Sequence, residues 1–230
     1  MNKNKGYFIV VDGCDASGKG SSIETVKNFF IDKMGRDESN IITTREPGGT
    51  AYGEDIRKLL LNVPSDGRKD LNINSELMLF FASRAQLIDE VIEPGLKDNK
   101  IIIADRWSSS TYTYQKQRGA DPENIMALDK MFCNIQPDLF IYLDVKPEVT
   151  LQRIQEKRDG KMDRTESLDP QFFENIRNGY KEYIKTIDNS ITINSNVELK
   201  DMLFNIESEL EKSFKSQKVS KKKSKSFSFS

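Results

Sequence analysis

The sequence predicts an α/β chain: a five-stranded, mostly parallel sheet flanked on both faces by helices. Three observations carry that expectation. Five apolar runs of strand length recur, they are continuous rather than alternating, and stretches of helical pattern separate them. A run apolar at every position belongs to a strand covered on both faces, as in a parallel sheet. Strand–helix alternation then provides the crossover connections such a sheet needs.

The strands read as residues 7–11, 41–44, 101–104, 139–143 and 191–193. Residues 22–34 and 54–61 carry helical pattern. Residues 75–91 read as an amphipathic helix that ends before Pro94 and Gly95, because a proline ring pushes the residue before it out of helical backbone. Asp121 and Pro122 read as an N-cap and first helical residue, opening a helix toward Cys133. Pro147 opens another helix, and long helices cover 170–187 and 197–214. The polar stretch 156–169 interrupts helical pattern and reads as a mobile flap.

Composition narrows the function classes. The 230 residues include no histidine, which excludes histidine general bases, histidine-dependent triads and histidine-containing zinc sites. Cys14 and Cys133 are too few for an all-cysteine zinc site and read as reduced thiols of a cytoplasmic protein. No apolar run approaches the roughly 20 residues that span a bilayer, and no secretory pattern follows Met1, so no membrane partner is expected. The net charge of −1 hides an asymmetry: residues 212–230 hold seven lysines and no acid, and removing them takes the rest of the chain from −1 to −8. An acidic body, residues 1–211, argues against nucleic acid as its main partner. The Lys/Ser-rich tail, residues 212–230, is low in complexity and reads as a disordered, solvated appendage. Contact with an anionic partner is its functional alternative.

The first strand leads into Gly13-Cys14-Asp15-Ala16-Ser17-Gly18-Lys19-Gly20-Ser21 and then a helix. G-x-x-x-x-G-K in that context is a P-loop: backbone N–H groups turn inward around phosphate, the helix N-terminus adds its positive end, and Lys19 reaches the β- and γ-phosphates. Gly20 stands where most P-loops carry a Mg²⁺-binding hydroxyl, and Ser21 comes one residue late. Lys-Gly-Ser at this place resembles adenylate kinases, and the loop also resembles that of polyphosphate kinases.

After the second strand comes Thr44-Arg45-Glu46-Pro47-Gly48-Gly49-Thr50, then Gly53-Glu54-Asp55-Ile56-Arg57. A cation at a strand end, a rigid turn and a helix start suit an anionic ligand at the carboxyl ends of the strands. This block resembles thymidylate kinases, and the resemblance spans residues 7 to about 210. It implies a P-loop NTPase fold of the nucleoside monophosphate kinase type. It further implies ATP-dependent phosphorylation of dTMP to dTDP in dTTP synthesis, Mg²⁺ bound with ATP, and a homodimer.

The remaining motifs agree with that family. Leu79-Phe80-Phe81-Ala82-Ser83-Arg84 resembles its thymine-binding helix, where Phe80 and Arg84 share one face. A ring would lie on the base while the guanidinium meets a carbonyl on its edge. Residues 101–107 form an apolar strand ending in Asp105-Arg106. The resemblance makes Asp105 the catalytic or Mg²⁺-organising acid, mainly through water, and gives Arg106 to the dTMP phosphate alongside Arg45. Thr111, Tyr114 and Gln115 match the family's Ser-x-x-Ala-Tyr-Gln segment, which implies dTMP contacts. Tyr114 would lie against the deoxyribose, and Asp15 would accept from the sugar 3′-hydroxyl. Arg153, Arg158, Asp163 and Arg164 match the lid of bacterial-type members, residues 153–168 here. Many eukaryotic members have Arg where this chain has Ala16, so Arg158 and Arg164 are expected to act in catalysis, with Arg153 near ATP. A monophosphate kinase of other specificity, encouraged by Gly20, and a nucleotide-binding protein without turnover are the competing readings.

Overall fold

The computed structural model describes residues 5–61, 70–133, 135–157 and 169–225. Its five strands are β1 (Tyr7–Gly13), β2 (Ile41–Arg45), β3 (Ile101–Asp105), β4 (Leu139–Asp144) and β5 (Ser190–Asn194). All are parallel, in the order β2-β3-β1-β4-β5. The unbroken apolar runs have a direct cause: alternate side chains enter two different cores. Phe8, Val10, Ile102, Ala104 and Phe140 face one, and Ile9, Val11, Ile103, Ile141 and Leu143 face the other.

Nine α-helices are described. They are α1 (Lys19–Asn28), α2 (Ala51–Leu61), α3 (Ile73–Leu87), α4 (Glu93–Lys97), α5 (Ser108–Gln117), α6 (Pro122–Phe132), α7 (Pro147–Lys157), α8 (Pro170–Tyr183) and α9 (Leu199–Lys225). Asp121 and Asp169 cap α6 and α8 by accepting from the backbone N–H two residues on, each with proline at the first helical position.

The structure corrects the sequence reading at three places. The first helix starts at Lys19 rather than residue 22, directly from the P-loop, and closes in a π-turn at Phe29–Lys33. The helix expected to stop before Pro94 continues through a π-turn, Ile88–Ile92, into α4. Pro94 falls in the first turn of α4, where its missing N–H costs nothing. The third is α5, which the pattern of residues 108–117 does not announce. Ser, Thr and Tyr are poor helix formers, and α5 owes its helicity to burial of Ser109, Thr111, Tyr112, Thr113 and Gln115. The backbone of α9 stays helical through Lys225, past the start of the lysine-rich segment expected to be disordered, and Phe214 within that segment is buried.

The register brings the site together. Val11 pairs with Asp105, which pairs with Arg45, so three strands end side by side. Between β1 and β3 the connections depart in opposite directions, leaving the crevice where α/β sheets bind ligands.

Candidate active site

The loop from Gly13 to Gly20 wraps the N-terminus of α1. Gly18 caps that helix at φ 91°, a left-handed backbone that favours glycine; a Cβ there would lie 2.8 Å from Met202 Cε, the tip of a flexible side chain that can give way. Ala16 also adopts left-handed backbone. Lys19 Nζ donates to the carbonyls of Gly13 at 3.0 Å and Cys14 at 2.9 Å. Burial, then Arg106, lowers its affinity for a proton. Burial and Asp15 push the Cys14 thiol up to about 11.

Behind the loop, on α7, Arg153 donates to Ala16 O at 3.3 Å, Ser195 Oγ at 3.1 Å and Val197 O at 3.3 Å. Ser195 Oγ donates to Ser17 O at 2.7 Å. Arg153 thus sits against the P-loop, beside the β5–α9 connection. Arg158, Asp163 and Arg164 lie outside the described residues.

Asp12 is one of the acids that sequence reasoning missed. It is fully buried and accepts from Gly13 N at 2.7 Å, Trp107 N at 3.3 Å, Ser110 Oγ at 2.9 Å and Tyr180 Oη at 2.9 Å, and from Ser109 Oγ. An aspartate closing the apolar run Phe-Ile-Val-Val was the available signal. This cluster ties β1, α5 and α8 together and positions Arg106. Arg106 holds left-handed backbone at φ 71°, donates to Asp15 and to Ser110 Oγ at 3.0 Å, and lies 5.3 Å from the Tyr114 ring. Left-handed backbone in a non-glycine residue stores roughly 1–3 kcal/mol, a strain that collects at functional sites. Burial alone would raise the Asp15 carboxyl, but Arg106 and Lys19 outweigh it and hold it below the usual range. Tyr114 Oη donates to Asp15 Oδ2 at 3.1 Å.

Beyond this cluster opens a cavity of about 300 Å³, within the range of small-ligand sites. Asp15, Phe80, Arg84, Arg106, Thr111, Tyr114 and Gln115 all line it, so seven residues singled out from the sequence converge. Arg84 is buried and donates to Glu46 at 2.7 and 2.9 Å and to Thr111 Oγ1 at 2.7 Å. Its guanidinium lies near the rings of Phe81 and Trp107. Among the described residues its Nη1 has no hydrogen-bond partner. Burial pushes the Glu46 carboxyl up to about 7, although Arg84 pulls the other way. Glu46, Arg57, Glu76, Trp107 and Arg118 also face the cavity; Glu46 meets Arg84, and Glu76 meets Gln115 and Arg118, partners remote in sequence.

Two residues lie apart. Arg45 pairs with Glu54 at 2.9 Å and, with Asp105, lines a second hollow beside β2. Arg57, not Arg45, reaches the first cavity, donating to Pro47 O at 2.8 Å across a cis Glu46–Pro47 bond. Asp105 Oδ1 is buried without a hydrogen-bond partner among the described residues, and burial raises its pKa. Ser21 is exposed on α1, whereas Ser22 is buried with its hydroxyl donating to Gly18 O. Among the described residues no helix is long and apolar enough to cross a membrane.

The arrangement joins a phosphate loop to a cavity with aromatic, cationic and amide walls, and comparison with known proteins agrees. The family model described as Thymidylate kinase matches residues 11–206. A thymidylate kinase of Thermosipho africanus is 36% identical over 211 residues, covering 91% of this chain and 100% of the relative. One of Protochlamydia amoebophila is 38% identical over 190 residues, 80% of this chain and 82% of the relative. Among solved structures, the crystal structure of thymidylate kinase from Ehrlichia chaffeensis superposes with a TM-score of 0.70 at 26% identity. That match covers 91% of this chain and 99% of the other.

Proposed function

The chain belongs to the thymidylate kinase family, and from that premise we infer that it transfers the γ-phosphoryl group of ATP to the 5′-phosphate of dTMP, forming dTDP for dTTP synthesis. The observation that carries the reading is the match over residues 11–206, which contains both the P-loop and the lined cavity. A specificity for another monophosphate finds no support among the relatives.

A phosphate oxygen of dTMP attacks the γ-phosphorus in line. The bond to the ADP oxygen breaks, and that oxygen keeps the electron pair. The protein supplies position and opposite charge rather than covalent chemistry. Lys19 turns from the Gly13 and Cys14 carbonyls to the ATP phosphates. Arg106 holds the acceptor phosphate, and Arg57 is a second cation on the cavity wall. Arg45 takes part only after leaving Glu54. Asp15 accepts from the 3′-hydroxyl, and the Tyr114 ring fills the space a 2′-hydroxyl would need. Exclusion by size is worth about 1–3 kcal/mol. Phe80, Arg84, Thr111 and Gln115 form the base pocket. Arg153 serves the ATP side, while Arg158 and Arg164 bring cations that Ala16 does not offer.

The residues fit Mg²⁺ carried with ATP. The Asp105 oxygen without a hydrogen-bond partner among the described residues suits a water of such an ion. Bound there, Mg²⁺ neutralises phosphate charge. Exposed Ser21 is at most a minor contributor.

We further propose a cytoplasmic homodimer with residues 1–211 as the kinase domain and 153–168 as its lid; Phe214 packs on Tyr7, Phe29 and Phe30, so only the part of the basic segment 212–230 beyond it is proposed to meet anionic partners. Exposed Leu59 and Leu61 on α2, Met78 on α3, and Met131 and Phe132 on α6 support self-association. The activity is tested by product analysis: dTDP and ADP form in equal amounts, and a chiral γ-phosphate transfers with inversion. ADP forming with inorganic phosphate instead would contradict the reading.

A further inference from the structure

The wall of the cavity contains an amide whose orientation is dictated from behind. Gln115, on α5, and Glu76, on α3, are both more than nine-tenths buried, and both face the cavity. Gln115 Nε2 donates to Glu76 Oε1 at 2.9 Å, and Arg118 Nη1 donates to the same oxygen at 2.6 Å. An ionised carboxylate only accepts, so the amide must turn its N–H₂ toward Glu76 and its carbonyl away. Gln115 Oε1 has no hydrogen bond to another described residue and is not among the fully enclosed, unpartnered atoms.

We propose that Glu76 is a specificity-determining positioning residue: by holding the Gln115 amide with Oε1 toward the cavity, it selects a pyrimidine whose N3 carries a hydrogen. The inference rests on the thymine assignment of this cavity. Thymine and uracil present N3–H to such an acceptor. Cytosine presents a lone pair there, and two acceptors facing each other in a buried site repel and leave both unsatisfied. Arg84, which lines the same cavity, makes the same choice at position 4, where a guanidinium donor suits the carbonyl of thymine and not the amine of cytosine. Arg118 pairs with the same Glu76 oxygen, so the orienting charge does not sit alone.

The test is the ratio of kcat/KM for dTMP to that for dCMP. Glu76→Gln keeps the shape but supplies both a donor and an acceptor, which frees the Gln115 amide to turn over. The ratio then falls about tenfold or more while KM for ATP holds, the scale set by one unsatisfied buried polar group. Gln115→Met leaves the Glu76–Arg118 pair intact and lowers the ratio likewise, and adding Glu76→Gln to it lowers the ratio no further. A merely structural role for Glu76 would lower the unfolding temperature and slow both acceptors alike, leaving the ratio in place. An unchanged ratio in either single variant, or full additivity in the double variant, overturns the proposal. If the Glu76 variant does not fold, the Gln115→Met ratio decides alone. Failure of the unsubstituted chain to phosphorylate dTMP overturns the proposed function and this inference with it, whereas an unmoved ratio overturns only the inference.

Discussion

Arg84→Lys separates what the buried guanidinium does for the fold from what it does for the base. Arg84 makes two hydrogen bonds to Glu46 and one to Thr111, with 1% of its surface exposed. A lysine ammonium keeps the charge but has no planar fork, so it meets Glu46 through one contact and abandons Thr111. Losing part of a buried ion pair and one charged hydrogen bond costs about 2–4 kcal/mol. For a chain of this size that lowers the unfolding temperature by roughly 4–16 °C. Removing the base-edge donor costs a further 1–3 kcal/mol of binding, roughly 5- to 150-fold. On the proposed function the base lies away from the transferring phosphoryl group, so its contacts are equal in ground and transition states. The loss therefore appears in KM for dTMP, with kcat nearly preserved. Calorimetric melts and a coupled ADP-release assay read the two effects. An unchanged KM for dTMP, or a fall in kcat at constant KM, would refute the base-edge role.

Three other outcomes follow from the same geometry. Lys19→Met keeps the fold but lowers kcat roughly a hundredfold or more, the scale for one preorganised cationic or hydrogen-bond donor; turnover near the unsubstituted value would remove Lys19 from the phosphate site. Burial holds the Glu46 carboxyl near 7 against an ordinary value of 4.5, so folding takes up a proton between those limits. The stability contributed by that uptake is present below 4.5 and is lost as pH rises through about 7, and Glu46→Gln flattens the pH dependence of the unfolding temperature in that window. Burial raises the thiols of Cys14 to about 11 and Cys133 to about 12, so both stay protonated near neutral pH. A disulfide-exchange reagent should titrate neither thiol in the native protein and both after denaturation; rapid native labelling would contradict the buried P-loop.

The sheet was legible because parallel strands buried on two faces leave unbroken apolar runs, and the Asp121 cap was legible because capping is local. The α5 helix was not, since Ser-Ser-Ser-Thr-Tyr-Thr-Tyr has little intrinsic helicity and only the surrounding helices and sheet make it helical. Pro94 misled for a related reason: a π-turn before it resets the hydrogen bonding, which residue spacing alone does not reveal. At the site, glycine spacing and the Thr-Arg-Glu-Pro-Gly-Gly-Thr block exposed the P-loop and the family. The supporting acids escaped notice. Asp12, Glu46 and Glu76 act on partners 38 to 168 residues away, and such pairings are created by the fold. Glu46 lay inside a quoted motif, yet only the structure puts it on Arg84.

The most direct test of the account is ATP consumption measured with dTMP, dUMP, UMP, AMP and CMP as acceptors, with and without Mg²⁺. The account predicts Mg²⁺-dependent turnover strongly favouring dTMP, with UMP nearly inert because Tyr114 blocks its 2′-hydroxyl. A preference for AMP or UMP, or ATP binding without turnover on any acceptor, would contradict it.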